Sequence, residues 1–277
     1  MKDRFSVLDA IGNTPLVKIG NVYAKLESVN PSGSIKDRVA LEIIEDAEKR
    51  GALKKGYTIV EASSGNTGIS LAMVASVKKY KMIVVMPENM SEERKQMMRA
   101  FGAELVLTSK CGSLKEAIKK AEEFAEQPKT FMARQFDNPM NIKAQEKTGE
   151  EILKKIGPVD AVVAGIGTGG TLMGISNVMK KVNPKLKIIA IEPEEAAVMF
   201  GGSDVKIGEH KIQGIGDGFI PQLIDKSKVD RVVTVSSEEA IHATKQLARE
   251  HGLLVGISSG ANMFVALKLA KMYNKIV

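Results

Sequence analysis

Short apolar runs alternate with amphipathic stretches along most of this chain. The apolar runs have the length of strands, and they lie around Val60 and over 82–86, 105–107, 161–164 and 188–191. The stretches between them have helical periodicity, which predicts helices over 36–50, 66–79, 91–101, 113–126, 141–156 and 171–182. Strands that alternate with helices predict an α/β fold, with parallel twisted sheets flanked by helices.

Two loops rich in glycine and hydroxyl residues each stand between a strand-like run and a helix. The first reads SSGNTG over 63–68 and follows the run at 58–61, and the second reads GIGTGGT over 165–171 and follows the run at 161–164. Such a loop presents free backbone N–H groups to an anion, typically a phosphate or a carboxylate. The two loops together therefore predict a phosphate-bearing ligand and a substrate carboxylate.

The segment NPSGSIKDR, residues 30–38, places a lysine at the start of a predicted helix. Ser34 and Asp37 have the spacing of a capping box, which puts Lys36 in the first turn. The helix dipole disfavours an ammonium there, so we expect Lys36 to lose its proton more readily than a solvated lysine and to attack a carbonyl. A solvated surface lysine is the commoner interpretation of this segment alone. Together with the two loops, the segment favours pyridoxal 5′-phosphate as the cofactor.

Several motifs in one order carry a family resemblance over nearly the whole chain. They are IGNTPL (11–16), NPSGSIKDR (30–38), SSGNTG (63–68), MPE (86–88), QFDNP (135–139), GIGTGGT (165–171), IQGIG (212–216) and GISSGA (256–261). The chain thereby resembles the cysteine synthase (O-acetylserine sulfhydrylase) branch of the fold type II pyridoxal-phosphate enzymes, which also includes cystathionine β-synthase. The resemblance implies two α/β domains with the cofactor in the cleft. They would be a large cofactor-anchoring domain of 1–36 and 141–277 and a smaller, mobile substrate-binding domain of 37–140.

The resemblance also implies a role for residues within these motifs. Lys36 would bind the cofactor covalently and later take the Cα proton of the substrate. The remaining cofactor contacts would be made by Asn66 to the 3-hydroxyl oxygen, by Gly167, Thr168, Gly169, Gly170 and Thr171 to the phosphate, and by Ser258 to the pyridine nitrogen. The substrate would be bound by Ser63, Ser64, Thr67 and Gln135 at its carboxylate, and by the closing loop that contains Gly214.

Some of these residues have a simpler interpretation when the resemblance is set aside. Asn66 and Ser258 are both typical helix caps, and an isolated glutamine such as Gln135 is usually a surface amide.

Ser63 stands where the family usually has threonine, and this difference keeps the hydroxyl and removes a methyl group. Gly214 lies in the segment 192–222, which is rich in Gly and Pro, has weak periodicity and is typical of a functional loop.

The activity implied by the resemblance is a β-replacement that makes L-cysteine from O-acetyl-L-serine and sulfide through an aminoacrylate intermediate. A hydroxyl such as that of Ser258 does not keep a proton on the pyridine nitrogen, which favours elimination and replacement over transamination. Cystathionine β-synthase, lanthionine synthase and O-phosphoserine sulfhydrylase activities would use the same residues. A different class also remains open, namely a catalytically weak homologue that binds the C-terminal tail of serine acetyltransferase.

A dinucleotide site is the main rival interpretation of the second loop. Gly165, Gly167 and Gly170 satisfy the G-x-G-x-x-G pattern, and Glu192 follows where an acidic ribose ligand is expected. The glycines of that pattern bind any phosphate by the same mechanism. Because the Lys36 and Asn66 segments have no role in an NAD site, we rank this interpretation below the pyridoxal one.

Composition and charge narrow the remaining classes. The chain has 277 residues, of which 44% are hydrophobic and 26% charged, as is typical of a globular protein. Its net charge of +7 suggests nucleic-acid binding, but the basic residues are interleaved with acids and only 4% of residues are aromatic, so no nucleic-acid partner is expected. No apolar run is long enough for a membrane span.

The cysteine and histidine content indicates neither disulfides nor metal sites. Cys111 is the single cysteine, which suits a reducing cytoplasm, and the three histidines have no metal-ligand spacing. The family resemblance implies a homodimer. It also implies a further strand and a short tail beyond Val277, so we expect the chain to be truncated, disordered beyond this point or naturally short.

Overall fold

The computed structural model describes residues 6–109, 114–202 and 207–277. Its strands are β1 (Leu16–Ile19), β2 (Val22–Lys25), β3 (Thr58–Ala62), β4 (Lys81–Pro87), β5 (Glu104–Thr108), β6 (Thr130–Met132), β7 (Ala161–Gly165), β8 (Lys187–Pro193) and β9 (Arg231–Val235). Its α-helices are α1 (Lys36–Lys49), α2 (Asn66–Lys78), α3 (Glu92–Ala100), α4 (Leu114–Ala125), α5 (Met140–Ile156), α6 (Gly170–Val182), α7 (Val198–Gly201), α8 (Ser237–His251) and α9 (Ile257–Leu269). Short 3-10 helices cover Val7–Ala10, Glu27–Val29, Glu194–Ala196 and Lys226–Lys228.

The chain divides into two compact units. Unit 1 comprises Met1–Thr14 with Glu27–Asn141, and unit 2 comprises Pro15–Leu26 with Ile142–Val277. Lys36 thus lies in unit 1. The resemblance instead places residues 1–36 in the large cofactor-anchoring domain, and its division at 36 and 140 stays a prediction.

In unit 1 the described strands form a parallel sheet in the order β5-β4-β3-β6. Successive residues of a strand face opposite sides of a sheet, and β4 shows this clearly. Val85 packs with Ala117 and Ala121 of α4, whereas Val84 faces Gly68 of α2, where an added Cβ would lie 3.1 Å from its Cγ1. Helices therefore cover both sides of β4, which accounts for its nearly continuous apolar sequence.

In unit 2 the strands β7-β8-β9 are parallel, and β1 and β2 form an antiparallel hairpin. Ile276 is fully buried and bridges Val22 of β2 to Ala161 of β7, so the last residues continue the sheet between these strands. The two sides of β8 belong to different cores. Ile189 packs with residues of α8 and α9, and Ile188 packs with residues of α5 and α6.

The predicted alternation of strands and helices is confirmed, and each predicted helix agrees with the observed one to within one residue at either end. The pattern did not predict the hairpin β1–β2, strand β9 or helix α8. The predicted loop segment, 192–222, also contains the short helix α7 in its described part. Cys111 lies outside the described residues. Within the part of the chain that the structure describes, no helix is long and apolar enough to cross a membrane.

Candidate active site

Lys36 is the first residue of α1, and it is half-buried. The capping box predicted before it is wrong, because the oxygen of Ser34 accepts the amide of Lys36 at 3.2 Å and the carboxylate of Asp37 turns elsewhere. Asp37 is fully buried and accepts the backbone amide of Ser32 at 2.7 Å and the hydroxyls of Ser32 and Ser70, the latter at 2.6 Å. Burial favours these donors over a solvent-facing cap, and they tie the start of α1 to α2.

A buried ion pair holds the segment that precedes Lys36. Arg38 donates to both carboxylate oxygens of Glu27, at 2.7 and 2.9 Å, and the hydroxyl of Thr14 donates to the same carboxylate at 2.6 Å. The amide nitrogen of Asn30 donates to Glu27 at 2.8 Å, while its oxygen accepts the backbone amide of Gly12 at 2.9 Å. The paired charges are saturated with hydrogen bonds, as a buried pair requires. They fix Gly12 and Thr14 of the IGNTPL motif against the Lys36 segment.

Ser63 occupies the turn between β3 and α2, but its hydroxyl oxygen faces the protein backbone. It accepts the amide of Gly65 at 3.3 Å and that of Gly68 at 3.0 Å. Gly65 is the N-cap of α2 and offers no side chain of its own, so Ser63 supplies the capping oxygen. The contact of Ser63 with a substrate carboxylate remains a prediction. Because its hydroxyl oxygen faces the backbone, Ser63 would act on that carboxylate through the shape that it gives the loop.

The same turn leaves three neighbouring backbone amides available. Within the described residues, the amides of Ser64, Asn66 and Thr67 have no hydrogen-bond acceptor. Asn66 is the first helical residue rather than the cap, so the cap interpretation is wrong, and its exposed side chain makes no hydrogen bond to the described residues. Free amides at the start of a 13-residue helix form a site for an anion the size of a carboxylate.

Gln135 lies beside this turn and is buried, so the surface-amide interpretation is wrong. Its side-chain oxygen accepts the hydroxyl of Thr67 at 2.5 Å, and its amide nitrogen donates to the carbonyl of Ala62 at 3.2 Å. One hydrogen of that nitrogen remains for a ligand. The structure thus brings Gln135 and Thr67, both predicted to contact the substrate carboxylate, into direct contact.

Glu61 supports Gln135 from the end of β3, and no motif pointed to it. Its carboxylate accepts the backbone amides of Arg134 at 2.7 Å and of Gln135 at 3.4 Å. These bonds link β3 to the residues that follow β6, beyond the last backbone pairing of the two strands. Complete burial raises the pKa of Glu61 to about 8, and the amide bonds only partly oppose this effect. A glutamate near the end of a strand-like apolar run, just before a glycine-rich loop, was the available sequence signal.

In unit 2, the loop GIGTGGT packs closely against two other segments. The amide of Gly165 donates to the side-chain oxygen of Asn262 in α9 at 2.9 Å. A Cβ on Gly167 would collide with the carbonyl oxygen of Gly214, so only glycine fits there. The structure therefore brings together Gly167 and Gly214, and it adds Asn262, which sequence reasoning missed.

The start of α6 fits a phosphate. Its N-cap is Gly169, which adopts a left-handed φ of 84° and provides no side-chain cap. The amides of Gly167, Gly169, Gly170 and Thr171 have no acceptor among the described residues. These donors and the positive end of a 13-residue helix suit a phosphate monoester, which is the anionic part of pyridoxal 5′-phosphate.

Ser258 is the second residue of α9, whose N-cap is Gly256, so the alternative helix-cap interpretation is wrong. Its half-buried hydroxyl has no partner among the described side chains and backbone groups. Asn262 follows four residues later on the same side of the helix. Because Asn262 bonds Gly165, the helix face that carries Ser258 is directed toward the phosphate loop.

Glu192 does not suit the rival role of a ribose ligand. It is buried, and its two carboxylate oxygens accept the backbone amide of Met199 at 2.9 and 3.0 Å and that of Phe200 at 3.0 Å. Burial raises the pKa of this carboxyl. A carboxylate that is already used by two amides at the start of α7 is not available to the hydroxyls of a dinucleotide.

Comparisons with known proteins agree with the geometry. Residues 7–275 match the family described as pyridoxal-phosphate dependent enzyme. The chain is 46% identical to the cysteine synthase of Staphylococcus aureus over 281 residues, which covers 98% of this chain and 90% of that protein. The crystal structure of a cysteine synthase from Entamoeba histolytica superposes with a TM-score of 0.93 at 38% identity, covering 100% of this chain and 87% of that one.

A second solved structure carries a different description. The O-acetylserine dependent cystathionine β-synthase from Helicobacter pylori has a TM-score of 0.93 at 39% identity, and the alignment covers 100% of this chain and 94% of that one. These matches confirm the resemblance and the fold class that the motifs predict.

Proposed function

We infer the function of this chain from its family, because it belongs to the pyridoxal-phosphate dependent enzyme family and within it to the cysteine synthases. We propose that it makes L-cysteine from O-acetyl-L-serine and sulfide. The observation that carries the proposal is the turn before α2. There, three free amides lie beside Gln135, in the unit that also contains Lys36. This arrangement suits an amino-acid substrate bound by its carboxylate.

The cofactor would be held by residues whose local geometry fits it. The free amides at the start of α6 would bind the phosphate, the hydroxyl of Ser258 would face the pyridine nitrogen, and the side chain of Asn66 would meet the ring oxygen. Lys36 would attach the cofactor covalently. When bound, pyridoxal phosphate supplies the electron sink that makes the Cα proton of an amino acid acidic.

The protein residues then have separate tasks in the replacement. The substrate carboxylate would be bound by the backbone amides of Ser64, Asn66 and Thr67 and by the free side-chain N–H of Gln135. This binding would orient Cα. The amine of Lys36, released when the amine of the substrate replaces it, would take the Cα proton. Acetate would leave Cβ with its bonding electrons, and sulfide would bond to Cβ in its place. Lys36 would finally return a proton to Cα.

The test compares Lys36→Ala with Lys49→Ala, an exposed lysine at the other end of the same helix. Cysteine formation from O-acetyl-L-serine and sulfide should fall by at least about a thousandfold in Lys36→Ala, because both attachment and proton transfer are lost, and it should be unchanged in Lys49→Ala. Borohydride reduction followed by peptide mass spectrometry should find the cofactor on the peptide that contains Lys36. Substantial activity of Lys36→Ala would show that this assignment is wrong.

A panel of substrates separates the related activities. Cystathionine β-synthase, lanthionine synthase and O-phosphoserine sulfhydrylase activities would use the same residues, and the Helicobacter pylori neighbour is described as an O-acetylserine dependent cystathionine β-synthase. Sulfide, homocysteine and cysteine should each be tested with O-acetyl-L-serine and with O-phospho-L-serine. The proposal requires the highest kcat/KM for O-acetyl-L-serine with sulfide.

The proposal extends to assembly and location. We expect a cytoplasmic homodimer in which 1–36 with 141–277 anchors the cofactor and 37–140 binds the substrate. We also expect the C-terminal tail of a serine acetyltransferase to bind in competition with O-acetyl-L-serine. Analytical ultracentrifugation tests the first expectation, and inhibition by a synthetic tail peptide tests the second; a noncompetitive or absent effect would count against a binding-partner role.

A further inference from the structure

Arg94, in α3, lies against the turn that is proposed to bind the substrate carboxylate. Its Nη1 donates to the carbonyl oxygen of Ser64 at 3.1 Å. A Cβ placed on Gly65 would lie 3.5 Å from the same nitrogen. The guanidinium therefore covers the peptide groups whose neighbouring amides are free.

We propose that Arg94 is a specificity-determining residue, whose positive charge selects amino acids with a free carboxylate at the Ser63–Thr67 turn. This inference rests on the proposed function, because it takes that turn as the carboxylate site. None of the sequence motifs drew attention to Arg94, which lies between them.

The charge environment of Arg94 sets it apart from Arg38, a buried arginine of the same unit. Arg38 is matched by two hydrogen bonds to Glu27. Arg94 is half-buried, yet it makes no ion pair with a carboxylate of the described residues, and burial lowers its pKa. Withdrawing a cation from water without a counter-ion is unfavourable. Binding of an anion at the adjacent turn would offset that cost.

Three sources of positive potential then act on one ligand group. The free amides of Ser64, Asn66 and Thr67 donate hydrogen bonds, and the start of α2 contributes its helix dipole. Arg94 adds a full positive charge, which attracts the ligand carboxylate without direct contact. We therefore expect it to affect substrate binding more than the chemical step. A purely structural role, in which Arg94 only orients the carbonyl of Ser64, would need the hydrogen bond and not the charge.

The experiment separates charge from hydrogen bonding in the cofactor-loaded enzyme. Arg94→Gln keeps an amide donor and removes the charge, whereas Arg94→Lys keeps the charge. We expect Arg94→Gln to raise KM for O-acetyl-L-serine about tenfold, with kcat within about twofold of wild type, and Arg94→Lys to recover most of the loss. The increase of KM with added KCl should be shallower in Arg94→Gln.

Arg99→Gln is the matched control, because Arg99 lies on the same helix with an exposed side chain that meets Glu92 at 3.8 Å. It should leave KM and its salt dependence unchanged. An unchanged KM in Arg94→Gln, or equal losses of kcat in Arg94→Gln and Arg94→Lys, would overturn the proposal. Calorimetric titration with L-serine provides a second measurement: weaker binding to Arg94→Gln than to Arg99→Gln supports it, and equal binding overturns it. Failure of the wild type to turn over O-acetyl-L-serine would instead refute the proposed function, and the titration would still decide the role of Arg94.

Discussion

Replacement of Glu61 by glutamine should change how the stability of this protein depends on pH. Glu61 is completely buried, and burial is the main cause that raises its pKa from 4.5 to about 8. The carboxylate of Asp137 raises it further, while the amides of Gln135 and Arg134 oppose the shift. Between these two pH values the folded protein holds a proton that the unfolded chain has released. Raising the pH therefore favours unfolding, and the loss of stability ends above the folded pKa.

The size of the effect follows from the shift. Each pKa unit corresponds to about 1.36 kcal/mol, so the whole shift sets an upper limit of roughly 5 kcal/mol. Between pH 6.5 and 9, the ionisation of Glu61 alone should lower the free energy of unfolding by roughly 2 kcal/mol. The introduced glutamine side chain would remain neutral and would still offer an oxygen to the backbone amide of Arg134, so Glu61→Gln should lose none of this contribution.

Urea unfolding at several pH values, with a fixed saturating concentration of cofactor, measures the difference between wild type and Glu61→Gln. That difference should move by about 2 kcal/mol in favour of Glu61→Gln from pH 6.5 to pH 9. Glu104→Gln, at an exposed glutamate that begins β5, should show no such trend. A difference that stays constant over this pH range would refute the reasoning that burial governs the ionisation of Glu61.

Two further substitutions test single contacts. Gly167→Ala should weaken pyridoxal phosphate binding at least about tenfold, because its Cβ would collide with the carbonyl oxygen of Gly214. Absorbance titration measures this affinity, and an unchanged value would show that the loop can move without loss of cofactor binding. Ser70→Ala removes a hydroxyl from the buried carboxylate of Asp37 and should lower the free energy of unfolding by about 1–3 kcal/mol in urea. Ser76→Ala, at an exposed position of the same helix, should have almost no effect, and equal losses in both variants would contradict this assignment.

The parts of the fold that repeat a regular pattern could be predicted from the sequence. Strands such as β4 and β8 are apolar throughout because both of their faces are buried, and the helices between them have clear amphipathic periods. The hairpin β1–β2 is short and half-exposed, and its pattern is correspondingly weak. The bridging position of Ile276 depends on partners from distant parts of the chain, which no local pattern specifies.

The candidate site follows the same division. The glycine loops and Lys36 lie in contiguous motifs at helix starts, so their placement could be predicted from local signals. Asn262 and Arg94 act through contacts with loops far away in the sequence, and they carry no motif of their own. The capping box failed for a related reason. The spacing of Ser34 and Asp37 was correct, but Ser70 in another helix provided a buried competitor for the carboxylate.

The position of Ile276 between β2 and β7 has a consequence for the order of folding. Unit 1 draws most of its residues from one continuous segment, whereas the sheet of unit 2 joins Val22 to Ile276, which are far apart along the chain. Closing so long a loop costs entropy and slows the pairing of its ends. During synthesis, β2 leaves the ribosome long before its neighbour exists, so its edge stays unpaired while unit 1 can already fold. An open strand edge can pair with another chain, and we expect misassembly of newly made protein to begin there.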